Sequence, residues 1–247
     1  MTDKARARSP RRRLAELCFD LVYNPIYDAT TARLSPYQRF QDGCVGKLRL
    51  SEGDRVLCLG TGTGNEIVRI MEGNAAVSVV GVDISRKALQ RARAKARRLG
   101  KPVELHRMDA QQLGFPDRSF DAVVCLHVMG FLREDKMATS EIFRVLKDSG
   151  QFVVTFPSGN GLLKLGAEAG QGVLRKVRAG RWGQAIRDLA ALTVGGLVNI
   201  PVSWWVKPRG GFYSRRQLDE MFSSLRLGRW QVEEDDVYQE FIVWGAK

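Results

Sequence analysis

The chain has 247 residues, 44% hydrophobic and 27% charged, with 39 Lys and Arg against 27 Asp and Glu and a formal net charge of +12. That length suits one α/β domain with additions and can bury a full core. Its four cysteines include no CxxC pair and it has only two histidines, which argues against a disulfide framework, a zinc site or a metal centre and fits a reducing cytoplasm.

Residues 1–13 are basic, include Arg11-Arg12-Arg13 and lack apolar periodicity. No apolar signal-peptide core follows, so secretion is not supported. They read as a disordered solubilising tail, with an anchor to anionic lipid or nucleic acid as the sharper alternative. Residues 14–50 read as an N-terminal helical cap. Leu14, Leu17, Cys18, Leu21 and Val22 recur at helical spacing, and Asn24-Pro25 is expected to break that helix.

Residues 51–157 carry the strongest pattern. An apolar strand, Val56 to Leu59, runs into Gly60-Thr61-Gly62-Thr63-Gly64. A helical pattern follows (Ile67, Val68, Ile70, Met71), then a second apolar strand, Val77 to Val82, ending on Asp83. Strand, glycine turn, helix, strand and acid make one half of a nucleotide-binding βαβ unit. The glycines permit positive φ and close approach of a ligand, and the acid is placed to accept ribose hydroxyls. The dinucleotide fingerprint fails, because Asn65 stands where its third glycine belongs, and no Gly-Lys-Ser/Thr completes a phosphate loop. Residues 85–99 form a second helix capped by Ser85. Ala88, Leu89, Ala92, Ala96 and Leu99 share one face; seven Arg and Lys crowd the rest with no acid among them, as a solvated face or a platform for phosphates. Val103 to Met108 reads as a third strand leading to Asp109-Ala110, and Phe120-Asp121 opens a fourth.

Residues 158–212 read as an inserted helical lid, broken by glycines and ending in a segment with Pro201, Trp204 and Trp205. It is too short and interrupted to span a bilayer. Residues 213–247 supply a helix capped by Ser214, with Leu218, Met221, Phe222 and Leu225 inward, then strands Trp230 to Glu234 and Val237 to Trp244 about a turn at Asp235-Asp236.

GTGTG with Asp83 closing the next strand resembles motifs I and II of class I S-adenosylmethionine (SAM) methyltransferases. LGFPDRSFDAVVCLHVMGFL is similar to that family's LPFPDxSFDxVV segment, and EIFRVLKDSGQFVVTFP to its E-x-x-RVLKPGG segment. The resemblance covers residues 54–157 and is nearest to the ubiquinone/menaquinone-biosynthesis and phospholipid or small-molecule branch. It implies a Rossmann-like α/β fold: a seven-stranded, mostly parallel sheet with the last strand antiparallel, helices on both faces, an N-terminal helical cap and an inserted lid. It implies SAM as cofactor, with S-adenosylhomocysteine as product, and methyl transfer by in-line displacement.

Carried over from the family's motifs, Gly60, Thr61, Gly62 and Gly64 hold the methionine part and ribose, Asp83 the ribose hydroxyls, and Asp109 the adenine amino group. Ile84 and Ala110 flank the ring, and Leu126 and His127 lie beside the reacting methyl. Tyr27, in the branch's "Y-D", covers the methyl-donor pocket, with Tyr23 second. His127 is the candidate general base, Trp204 and Trp205 are candidate substrate contacts, and no metal is expected. One departure is Cys58, where the family has an acid supporting the glycine loop and the ligand's ammonium group. Glu66 reads as too far along its helix to replace it, and Cys58→Asp is expected to leave cofactor binding intact or tighten it. The acceptor is expected to be a hydrophobic small molecule or lipid, with peripheral contact to an anionic membrane. RNA methylation and SAM binding without turnover stay open, as does the oligomeric state.

Overall fold

The computed structural model describes residues 24–73, 76–132, 134–159, 162–206, 212–225 and 227–247; from residue 198 to 206 it describes the backbone alone. Seven strands form one sheet: β1 Arg55–Leu59, β2 Ser78–Asp83, β3 Glu104–Arg107, β4 Phe120–Cys125, β5 Leu146–Pro157, β6 Arg229–Asp235 and β7 Glu240–Ala246. Their order is β3-β2-β1-β4-β5-β7-β6. Neighbours from β3 to β5 pair in parallel, and β7 runs antiparallel to both β5 and β6. The order reverses between β1 and β4, so a crevice opens at their carboxyl ends.

β1 is buried on both faces because helices cover both. Leu57 and Leu59 pack with Ala138 and Ile142 of α5 (Asp135–Val145) and Leu218 and Phe222 of α8 (Arg215–Ser223). Val56 and Cys58 pack with Phe40 and Cys44 of α2 (Ser35–Val45), Ile67 and Ile70 of α3 (Asn65–Gly73), and Ala92 and Ala96 of α4 (Arg86–Arg98). Ser85 caps α4 by accepting from the Ala88 amide at 3.0 Å, and Ser214 caps α8 in a reciprocal box with Gln217.

Asn24 and Pro25 open the described part of α1 (Asn24–Thr31); the break expected at Asn24-Pro25 turns on residues 14–23, which lie outside the described residues. Three sequence expectations are corrected. β3 is shorter at both ends than expected. β7 begins at Glu240 rather than Val237, because the Asp235 carboxylate accepts from the amides of Val237 and Tyr238 and Gln239 takes φ 51°, which widens the turn. The insertion is broken at Gly180, which takes φ 71° in the turn between α6 (Leu162–Arg178) and α7 (Trp182–Val206), whereas both helices run through their own glycines.

The insertion docks on α1. A Cβ on Gly195 of α7 would lie 2.5 Å from Thr30 Cγ2, and the Thr30 hydroxyl donates to the Ala191 carbonyl at 3.3 Å. Arg39 pairs with Glu168 at 2.7 Å. Leu34, Tyr37 and Ala169 form a small core there, with Tyr27 and Leu192 against it. The helix expected at residues 14–22, the tail 1–13 and Tyr23 lie outside the described residues.

Candidate active site

The loop after β1 is built by backbone demand. Gly60 holds φ 67°, and a Cβ there would fall 2.3 Å from Val128 Cγ2; Gly64 holds φ 81°, and its Cβ would fall 2.7 Å from that of Ala92. Both must be glycine for packing alone. Gly62 differs: at φ 51° its nearest atom, the Gly60 carbonyl oxygen, would be 4.0 Å from a Cβ. There the chain leaves room against bare backbone. The Asp83 carboxylate stands beside that opening, accepting from the Gly62 amide at 2.8 Å and the Ser85 amide at 2.7 Å. Each carboxylate oxygen can accept more than one hydrogen bond, which suits this group to hydroxyl donors.

Asp109 follows β3 on the adjacent strand tip, its Oδ1 accepting from the backbone and side-chain nitrogens of Gln111, each at 3.0 Å. Ala110 is buried and Ile84 exposed. The glycines, Asp83, Ile84, Asp109 and Ala110 therefore share one edge of the sheet. Thr61 turns the other way: its hydroxyl donates to Glu66 Oε1 at 2.5 Å, inside the protein. This overturns the expectation for Glu66. The buried first turn of α3 brings its carboxylate under the glycine loop on the same side as Cys58, so an acid supports the loop from the helix rather than from the strand. Burial pushes the Glu66 carboxyl up to about 7, opposed by the Thr61 hydroxyl and the Lys95 ammonium. Burial likewise keeps the Cys58 thiol neutral.

A polar clasp joins the cap to this loop. Asp28 of α1 accepts from the Thr63 hydroxyl at 2.6 Å and the Lys95 ammonium at 2.7 Å. Lys95 also donates to Asn65 Oδ1 at 2.6 Å, and Asn65 donates to the Tyr37 hydroxyl at 3.1 Å. Tyr37 in turn shares a 2.7 Å hydrogen bond with Tyr27. Asn24 reaches Ser85 at 3.4 Å. Helix α1 thus lies over the ends of β1 and β2, and Tyr27 is on it.

His127 follows β4 with φ 58°, its amide donating to the Thr155 hydroxyl at 2.8 Å. Its ring packs tilted against Phe40 and Tyr238 and stacks on Tyr37, with centroids 4.9, 5.4 and 6.0 Å away. Nδ1 lies 2.7 Å from Glu240 Oε1, while Nε2 and Glu240 Oε2 are buried without a partner among the described residues. Burial alone would lower the imidazole pKa; the Glu240 carboxylate, by charge and hydrogen bond, carries it above the ordinary histidine value. Leu126 is buried on the α3 side of the sheet. Side chains of Trp204 and Trp205 lie outside the described set, although α7 runs through both. Among the described residues no group of His, Cys, Asp and Glu could hold a metal.

A family model described as a methyltransferase domain matches residues 57–154. The chain is 30% identical over 185 residues to a 27-O-demethylrifamycin SV methyltransferase of Amycolatopsis mediterranei, covering 71% of this chain and 68% of that one. The chain belongs to the class I SAM-dependent methyltransferase family. A phosphatidylethanolamine N-methyltransferase of Cereibacter sphaeroides is 36% identical over 131 residues, 52% of this chain; the aligned part spans 62% of that relative's length. The fold matches a SAM-dependent methyltransferase of Aquifex aeolicus with a TM-score of 0.54 at 18% identity, over 83% of this chain and 88% of that one. Within this family frame the residues that sequence reasoning missed are Glu66, Glu240, Tyr37 and Lys95. Glu66 carried a faint signal as an acid in the first helical turn after the glycines; Glu240 carried none.

Proposed function

We propose that this methyltransferase moves a methyl group from SAM to a hydrophobic small-molecule or lipid acceptor. The bare backbone at Gly62 beside the Asp83 carboxylate carries the reading, since it is a floor and an acceptor of the kind an adenosyl ligand needs. The relatives named for rifamycin and phosphatidylethanolamine methylation support the acceptor class. When bound, the cofactor supplies an already electrophilic methyl, so the protein's work is positioning, water exclusion and proton handling. In this reading Gly60, Gly62 and Gly64 accommodate the methionine part and ribose. Asp83 accepts from the ribose hydroxyls, Asp109 from the adenine amino group, and Ile84 and Ala110 contact the ring. Tyr27 and the cap exclude water, and His127 Nε2 takes a proton from acceptors that carry one while Glu240 holds Nδ1–H. Tyr23, Trp204 and Trp205 are the sequence's candidates for acceptor contacts.

No helix among the described residues is long and apolar enough to cross a membrane. Peripheral contact with an anionic bilayer accords with the net charge of +12, and a cytoplasmic location with the free, buried Cys44, Cys58 and Cys125. The test is transfer of labelled methyl from SAM into lipid extract, small-molecule extract and bulk RNA. Label in either of the first two supports the proposal. Label in RNA alone, or tight SAM binding with no label anywhere, refutes it.

A further inference from the structure

The α6–α7 hairpin presents a surface that neither the cap nor the sheet covers. Along α7, Trp182, Ile186, Leu189 and Leu197 recur at intervals of three, four and eight residues, so they fall in one stripe of the helix. They are 60, 65, 56 and 68% exposed. The opposite face is the packed one: Asp188 is buried and Gly195 meets Thr30, with buried Ala185 at the edge of the stripe. The stripe is therefore not turned toward the crevice by the packing that holds α7. At its amino end, across the Gly180 turn, stand Arg175, Arg178 and Arg181, with Arg187 on its flank. All four are exposed, and their guanidinium groups make no ion pair or hydrogen bond among the described residues. The only acids of the two helices are neutralised: Glu168 pairs with Arg39, and Asp188 with Lys176 and, at 3.9 Å, Arg33. What faces outward is apolar surface edged by unopposed positive charge.

We infer that this face docks on an anionic phospholipid bilayer, with the α7 stripe in the headgroup boundary and the four arginines against lipid phosphates. The inference rests on the lipid-acceptor reading only in its choice of partner class and requires no turnover. A helix with an apolar stripe, flanking arginines and no free acid is suited to lie in an anionic interface. A second copy would cover the stripe but offer its arginines no counter-charge from this face, since both acids of the two helices are already paired. Nucleic acid would satisfy the arginines but leave Ile186, Leu189 and Leu197 with nothing to bury against.

The experiment is flotation of the full chain with vesicles of phosphatidylcholine alone and of phosphatidylcholine with an equal part of phosphatidylglycerol. Wild type is expected to float only with the anionic vesicles and to be released by salt. Arg178→Gln with Arg181→Gln and Arg187→Gln should lower association by about a hundredfold, roughly fivefold per charge. Ile186→Ser with Leu189→Ser should lower it by about tenfold or more. The inference is overturned if wild type ignores phosphatidylglycerol, if both variants float as wild type does while deleting residues 1–13 abolishes flotation, or if light scattering shows Ile186→Ser with Leu189→Ser dissociating a dimer. Should the serine variant lose its helical circular dichroism, the arginine variant decides. Vesicle docking with no label transferred to either lipid extract or small-molecule extract would sink the acceptor reading and leave this one standing.

Discussion

Glu66→Gln tests whether an acid buried under the glycine loop is held there at a cost. Burial raises the Glu66 carboxyl from 4.5 to about 7. At about 1.4 kcal/mol per unit this corresponds to ~3 kcal/mol of unfavourable charge burial once the group is ionised. The sign follows from proton counting. Between pH 4.5 and about 7 the folded chain binds more protons at this site than the unfolded chain, so the site's contribution to stability falls as pH rises through that window and is constant beyond it. Glutamine keeps the acceptor for the Thr61 hydroxyl and removes the titration. The variant's unfolding free energy, measured by denaturant titration relative to wild type, is therefore expected to improve by about 3 kcal/mol between pH 4 and pH 8. At the acidic end the variant should be slightly weaker, because its new amide N–H lacks a partner. Parallel stability–pH curves for the two proteins would refute the reasoning, since they would mean that Glu66 ionises as freely folded as unfolded.

Four further outcomes follow from the same site. Gly62→Ala should fold, because the added methyl has space, at about 1 kcal/mol for its φ of 51°, yet weaken SAM binding by about tenfold or more in calorimetry; unchanged affinity would remove Gly62 from the cofactor site. Cys58→Asp now carries a different expectation: a second acid beside buried Glu66 should destabilise the fold by several kcal/mol, and adding Glu66→Gln should recover most of that, whereas equal stability of the single and double variants would show that the two positions do not interact. His127→Ala should lower turnover by roughly tenfold or more without changing SAM affinity. If the imidazole is the base, activity rises with pH through its pKa. Glu240→Gln removes the charge that raises that pKa, so the rising limb of the pH–rate profile should move to lower pH, and an unmoved limb would break the link between the pair.

What the sequence made legible was local. The β1–loop–α3–β2 unit could be read because an apolar run, three glycines and a terminal acid each do their work within thirty residues. Ser85 and Ser214 could be read as caps because capping geometry needs only the next turn. What escaped depends on tertiary approach. The Glu66 carboxylate serves the glycine loop because α3 folds back under Thr61, which no periodicity encodes. His127 was singled out by its chemistry, but Glu240, 113 positions away, is its partner only because β7 inserts beside β5. Gly195 read as a helix breaker; it is a contact point, and the difference lies in Thr30 on another helix.

That contact has a consequence for engineering. Because any side chain at position 195 would collide with Thr30, α7 and α1 are matched surfaces, as are Glu168 and Arg39 beside them. A chimera that imports only the 158–212 segment from a relative would lay a foreign helix on an α1 shaped for a glycine. Exchange of specificity between members of the family should therefore succeed when the two segments travel together, with the sheet left in place as a common chassis.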